Sequence, residues 1–345
     1  MSTPEHVRSD VPAGPPAAGD GTGPVPSPAR GPVRAAAART ARRRPVPWRR
    51  WLEILLLAGP GTAVFVTFVI LPVLMAGYYG FFRWSGYGPP TEFVGLRNYQ
   101  LILTDTAFLE ALWHNAFILV MSLVMQGPVA IGIALLLNRR MRGRSLIRVL
   151  IFVPYVLSEV IVAIGFSLML HTAGAVNDVL DQAGLGALRQ DWLADPDVAI
   201  WSLMLILVWK YIGFAVILML AGLQGVPDEL REAAAIDGAS YWKTQWYITL
   251  PLLGPTIRIW AFLSIIGSLQ VFDLVYVIWG QYVADTAGTS TMATYMVANG
   301  RISGAYGYGS AVAVVIFLIS LAVALVYQRY LLRRDTEGAL TGGAA

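Results

Sequence analysis

Six apolar runs, each long enough to cross a bilayer, constrain this chain more than any other feature in it. They lie near residues 54–82, 113–138, 147–171, 198–222, 257–279 and 308–331. At about 1.5 Å of rise per residue, each can cover roughly 30 Å of hydrocarbon as a helix. With 56% hydrophobic and 13% charged residues in a chain of 345, one soluble core cannot hide this much apolar surface, so the bilayer must be its solvent. The expected fold is all-α, a polytopic membrane protein with six transmembrane helices. Gly59-Pro60-Gly61 and Pro72 interrupt the first run, which leaves open an interfacial helix at its start.

The charged residues orient the spans. Arg42, Arg43, Arg44, Arg49 and Arg50 precede the first, and Arg139, Arg140, Arg142, Arg144 and Arg148 follow the second; such ends face the cytoplasm. The opposite loops carry Glu92, Asp105 and Glu110, then Asp178, Asp181, Asp191, Asp195 and Asp197, while Arg329, Arg333 and Arg334 follow the sixth span. Both termini and the polar stretch 223–256 are therefore expected in the cytoplasm, with the protein multi-pass in a bacterial-type cytoplasmic membrane. Residues 1–46, rich in Pro, Ala, Gly and Arg, cannot repay the entropy of ordering and are expected to form a disordered basic tail. That tail is too long, and its basic part too far from the start, for a cleavable signal peptide. Residues 47–335 form the six-span domain, and 336–345 a flexible tail. The net charge of +4 and the pI near 9.3 arise from arginines beside apolar runs, which points to membrane lipid rather than nucleic acid. The absence of cysteine excludes disulfides and thiolate chemistry. His6, His114 and His171 lie too far apart for a local metal cluster.

Between the fourth and fifth runs lies a polar, helix-forming island. Pro227 suits the first turn of a helix, and Asp228 and Glu229 set negative charge against its positive end. Leu230, Ala233, Ala234 and Asp237 recur at i, i+3, i+4 and i+7, giving one small, alanine-rich face. Gly238 can end this helix in the left-handed conformation, and Ser240 can cap a second running from Tyr241 to Thr249 until Pro251 stops it. By physics alone, such a hairpin reads first as an amphipathic pair of helices lying on the headgroups.

Glu232-Ala233-Ala234, then Asp237-Gly238-Ala239, then Ile248-Thr249-Leu250-Pro251 resembles the EAA loop of ABC importer permeases in identity, spacing and placement. The resemblance covers about residues 50–335. It includes Phe93 to Tyr99, and Gly174, Asn177, Gly184-Leu185 and Trp192-Leu193 in the loop after the third run, and it is nearest to the carbohydrate-uptake branch. It implies the type I importer permease fold and a second, different permease subunit as partner in a heterodimer. It also implies an ATP-binding subunit dimer and an extracytoplasmic solute-binding protein. The helix around Glu232 to Asp237 would then be a coupling helix seated in a cleft of the ATPase. Glu232 would face a basic group there, Gly238 would allow the turn, and Ala233, Ala234 and Ala239 would permit close packing. The chain departs from the branch after the fifth run. A Thr-Gly-Gly-Gly-Pro turn is usual there, but Trp279-Gly280-Gln281-Tyr282-Val283-Ala284-Asp285 stands in its place before Thr289-Ser290-Thr291 resumes the pattern.

A phosphate-cradling loop ends in Gly-Lys-Ser/Thr, but Lys210 and Lys243, the lysines of this chain, each follow a tryptophan. The chain is therefore expected not to be an enzyme and to carry no catalytic, metal or cofactor residues, with ATP and Mg held by the partner ATPase. An ionisable group inside a span is costly and by default functional, which singles out Lys210. Ser264, Ser268 and Val271 recur at i, i+4 and i+7 in the fifth span and could meet it at one depth. By the resemblance, the spans flanking the EAA loop line the solute path, where Trp209, Lys210, Tyr211, Phe214, Ser264 and Ser268 stand at matching heights. Asp273 is a further candidate, as are Glu159 and Gln270. Aromatic faces and hydroxyl or ammonium donors suit a polyhydroxylated solute such as a sugar. Other roles stay open: an ion pair of Lys210 with Asp273 or Glu159, its snorkelling to water, and simple packing for the serines and aromatics. The alternative function is a stand-alone ion-coupled secondary transporter using Lys210, Glu159 and Asp273.

Overall fold

The computed structural model describes residues 48–139 and 141–332. The expected tails at 1–46 and 336–345 lie outside these residues, as does Arg140. The chain divides into two units at Leu57/Ala58. The described part of the first is helical; the second begins inside the first apolar helix and holds most of it with all the later spans and loops.

Among the described residues, five helices are long and apolar enough to cross a membrane: Leu52–Tyr79, Thr106–Leu137, Pro196–Leu223, Gly254–Gly280 and Tyr306–Leu331. The third expected span is not one helix. Arg144–Val156 and Glu159–Met169 meet at 94°, with Leu157 and Ser158 extended between them. Pro154 lies in the last turn before this bend; lacking an N–H, it weakens the hydrogen bonding that would carry a helix onward. In a bilayer the carbonyls freed at such a bend must find protein donors, and here the donor comes from the fourth span. The fifth span is also interrupted, at residues 270–272. Past them, Gly280 adopts a non-helical φ of 67° and kinks the helix that begins at Asp273.

Elsewhere proline does not end helices. Three π turns, Val66–Ile70, Ser122–Gln126 and Gln245–Thr249, each stop two residues before a proline, at Pro72, Pro128 and Pro251 respectively. In each, the next N–H reaches back five residues, from Leu71 to Val66, Gly127 to Ser122 and Leu250 to Gln245. The extra residue reroutes the hydrogen bonds around a ring that can neither donate nor fit against the carbonyl four residues back. Pro251 therefore does not stop the second loop helix; the helical course runs on to Leu252.

The fourth span is the most buried, carrying Leu203, Ile206, Val216 and Met219 at 2% exposure or less. It packs on Arg144–Val156 and on Gly127–Leu137. Gly213 sets the closest approach: a Cβ there would lie 2.2 Å from the Ile151 carbonyl oxygen. The first span, by contrast, has no buried residue from Ala58 to Tyr79 and leans on the sixth through Leu71–Tyr79. After it comes a small antiparallel hairpin, Phe82–Arg83 with Glu92–Phe93. Asn98 ties it down by donating to the carbonyls of Gly80 and Phe82 at 2.9 and 3.1 Å, which explains the asparagine in the Phe93–Tyr99 motif.

Candidate functional site

The polar island folds as two short helices, Asp228–Ile236 and Tyr241–Thr244, the second continuing through the π turn. Pro227 precedes the first helix as its cap residue rather than opening its first turn, and Asp228 pairs with Arg231. Gly238 stands at φ +76°. Around it the Ala239 N–H reaches the Ala234 carbonyl at 2.9 Å and the Gly238 N–H the Ala235 carbonyl at 3.1 Å. These paired bonds are a Schellman closure, which needs a left-handed residue at that point. Ser240 occupies the next cap position but its hydroxyl makes no capping bond.

The alanine-rich face is largely bare. Ala234 alone in this helix is buried, while Leu230, Glu232, Ala233, Ile236 and Asp237 are exposed, Ile236 at 87%. Glu232 makes no ion pair or hydrogen bond among the described residues. The second helix is held from below by Arg139, whose guanidinium lies 3.8 Å from the centre of the Tyr241 ring, a cation–π contact.

Above this loop, the spans on either side of it wall a cavity of about 420 Å³. Tyr211 and Phe214 of the fourth span and Ser264, Ser268 and Asp273 of the fifth all line it. Its edge at the bend of the third span carries Tyr155, stacked on Phe214 with ring centres 5.2 Å apart, and Glu159, which accepts a hydrogen bond from the Tyr211 hydroxyl. The second span adds Ser122, whose hydroxyl meets that of Ser264 at 2.6 Å and donates to Gln126 at 2.9 Å. Ser268 turns its hydroxyl back onto the Ser264 carbonyl at 2.8 Å. Gln270, Trp260 and Phe272 complete the polar and aromatic lining.

Two expected residues are not in that wall. Trp209 packs edge-on against Phe166, 5.2 Å between ring centres. Lys210 is 3% exposed and forms no ion pair among the described residues. Its ammonium donates to the carbonyls of Pro154, Tyr155 and Leu157 at 3.3, 3.0 and 2.5 Å. Pro154 and Tyr155 would have bonded to Ser158 and Glu159 had the helix continued, so Lys210 closes the broken end of the third span. The i, i+4, i+7 face of Ser264, Ser268 and Val271 does line the cavity, but without Lys210 opposite it.

Sequence reasoning passed over several residues that hold the far side together. Asn115 is fully buried in the second span; it donates to the Ser268 carbonyl at 2.7 Å and accepts from the Met292 N–H at 2.8 Å. His114 meets the Ser290 carbonyl at 2.8 Å, and Thr291 donates to Val271 at 2.8 Å. Asp105 caps the helix that begins at Thr106 and accepts from the Tyr295 hydroxyl at 2.5 Å. The adjacent polar pair His114-Asn115 inside an apolar run was the available signal.

Residues 126–335 match the family described as binding-protein-dependent transport system inner membrane component. The trehalose/maltose transport system permease protein MalF of Thermococcus litoralis is 34% identical over 277 residues, 79% of this chain and 91% of that one. The sulfoquinovosyl glycerol transport system permease protein SmoG of Agrobacterium fabrum is 33% identical over 296 residues, 84% and 95% of the two chains. The fold is similar to that in the crystal structure of a bacterial ABC transporter involved in the import of the acidic polysaccharide alginate. That match has a TM-score of 0.72 and 24% identity, and covers 83% of this chain and 98% of the other.

Proposed function

The chain belongs to the family of binding-protein-dependent transport system inner membrane components, and from that premise we propose that a separate ATPase drives it through the loop at 228–252. It is a multi-pass permease subunit of an importer. The observation that carries the coupling reading is the placement of this loop. It joins the two spans that wall the cavity, and it presents Glu232, Ala233 and Ile236 exposed on a helix closed by a Schellman turn. On this reading the ATPase is a dimer that holds ATP and Mg, and its closure displaces the loop and rocks the attached spans between inward and outward openings. The solute is a sugar or related polar compound, a reading supported by the trehalose/maltose relative and by aromatic rings interleaved with serine and glutamine around the cavity. A second, different permease subunit completes the pore and an extracytoplasmic binding protein delivers the solute. The arginine distribution supports cytoplasmic termini and a cytoplasmic loop.

The test is solute-stimulated ATP hydrolysis in the reconstituted complex. Glu232→Lys and Gly238→Pro should each abolish stimulation while leaving membrane insertion intact. Unchanged stimulation in both variants refutes the coupling role. Ion-gradient-driven uptake by liposomes holding this chain alone would replace it with a secondary transporter.

A further inference from the structure

We infer that the cavity is a charge filter, passing uncharged or amino-bearing glycosides and rejecting solutes that carry a carboxylate, sulfonate or phosphate. This rests on the reading of the cavity as part of the solute path, and it narrows that path's chemistry.

The observation behind it is the set of ionisable groups around the cavity. Glu159 and Asp273 line it, and among the described residues no lysine, arginine or histidine does. Lys210 is not among the lining residues. Its ammonium is committed to three backbone carbonyls and stands 5.7 and 5.9 Å from the ring centres of Tyr211 and Tyr155. It therefore offsets part of the acids' charge without offering a solute anion a donor. One Glu159 oxygen takes the Tyr211 hydroxyl; Asp273 makes no hydrogen bond or ion pair among the described residues and is exposed.

A second feature closes the other route by which a protein attracts anions. Helix N-termini draw negative charge through free N–H groups and the helix dipole, and two of them border this cavity, those of Glu159–Met169 and of the helix beginning at Asp273. In each, the first residue is itself the carboxylate. Each positive helix end is therefore answered by the chain's own acid, leaving none for a solute anion. The serines and amides of the lining, Ser122, Gln126, Ser264, Ser268 and Gln270, are groups that both donate and accept, as neutral sugar hydroxyls require. At an effective dielectric of about 20, like charges about 4–8 Å apart repel strongly enough to weaken entry about tenfold or more.

The natural absence of cysteine makes this directly measurable. Gly267 lines the cavity, and a Cβ there meets no atom within 4 Å, so Gly267→Cys places one thiol in the full chain. In membrane vesicles, its reaction rates are compared for methanethiosulfonates bearing a trimethylammonium or a sulfonate group, each normalised to β-mercaptoethanol. The expected cation-to-anion ratio is at least about tenfold, falling to within about threefold of unity when Glu159→Gln and Asp273→Asn are added. A ratio near unity before those changes, a ratio they do not alter, or no labelling by either reagent overturns the filter. Maltose is included as a probe of the underlying reading. If maltose fails to slow labelling while the ratio is as expected, the sugar assignment falls and the filter stands. If maltose protects while the ratio is unity, the filter falls and the sugar assignment stands.

Discussion

Replacing Lys210 with methionine, which removes the charge and shortens the side chain by a single atom, should destabilise the protein rather than simply change what it binds. Three carbonyls at the bend of the third span, those of Pro154, Tyr155 and Leu157, take their donor from this ammonium. The bond to Pro154 is buried and those to Tyr155 and Leu157 are part-buried; at about 1–3 kcal/mol for each carbonyl left without a partner, the gross loss is about 3–9 kcal/mol at most. Against this, the variant no longer buries an ammonium at 3% exposure, a relief of several kcal/mol. At mid-range values, about 6 kcal/mol lost against about 3 regained, the net loss is about 3 kcal/mol, or about 6 °C at roughly 2 °C per kcal/mol. The measurement is thermal unfolding of purified protein in lipid nanodiscs, paired with solute-stimulated ATP hydrolysis in the reconstituted complex. A lysine that held the solute would behave in the opposite way, melting as the parent does and losing stimulation. Melting within about 1 °C of the parent would refute the role assigned to Lys210.

Gly213→Ala should separate the third and fourth spans, because the new Cβ would fall 2.2 Å from the Ile151 oxygen and 2.9 Å from the Phe152 Cα. A loss of at least about 1–3 kcal/mol is expected, read as reduced thermal stability in nanodiscs. Asn115→Leu strips partners from the Ser268 carbonyl and the Met292 N–H and should cost about 2–4 kcal/mol in the same measurement. Burial, followed by the hydrogen bond to Asp105, holds the Tyr295 phenol well above its ordinary range. Its folded pKa exceeds the unfolded value, so its contribution is complete below pH ~10 and is lost as the pH rises beyond that. Melting temperature should therefore fall between about pH 9.5 and 11, and Tyr295→Phe should flatten that decline.

What could be read from the sequence was local, and what could not was set by partners far along the chain. The left-handed turn at Gly238 follows from residues within one helical turn, and it stands at φ +76° as a glycine there predicts. The bend after Val156 is different. Residues 147–171 are long and apolar enough to read as one span despite Arg148 and Glu159, and the group that makes a break tolerable, Lys210, lies more than fifty residues away. Pro251 looked like a stop because the rule for prolines assumes an α-helical ladder, whereas a π turn ahead of it lets the helix through. In the fourth span, residues 204, 207, 208, 211 and 214 make the stripe that faces the cavity. Lys210 at the margin of that stripe reaches for the bend, and Trp209 turns to Phe166. Polarity within a span marked the right neighbourhood but did not resolve the rotation of about 100° between adjacent residues.

The cavity's construction bears on where motion must occur if the loop receives work from an ATPase, as proposed. The ends of the fourth and fifth spans nearest the loop share one buried cluster, with Met219, Leu220 and Leu223 packed with Leu253 and Trp260. A close-packed cluster of this kind transmits displacement without deforming, so the loop would carry these two ends together. Arg139 against Tyr241 adds the end of the second span to the same body. Opening the cavity then has to draw on places where the helical ladder is already broken. Two of these border it: the bend at Leu157-Ser158, held by Lys210, and the interruption at 270–272, just beyond the Asn115 bond to Ser268. Hinge motion concentrates in a few residues at element ends that can absorb φ/ψ change, and the two carboxylates Glu159 and Asp273 stand at the first residues after these breaks. Any movement at either hinge shifts a negative charge relative to the cavity, so the same breaks that permit opening also decide which charges the opened path presents.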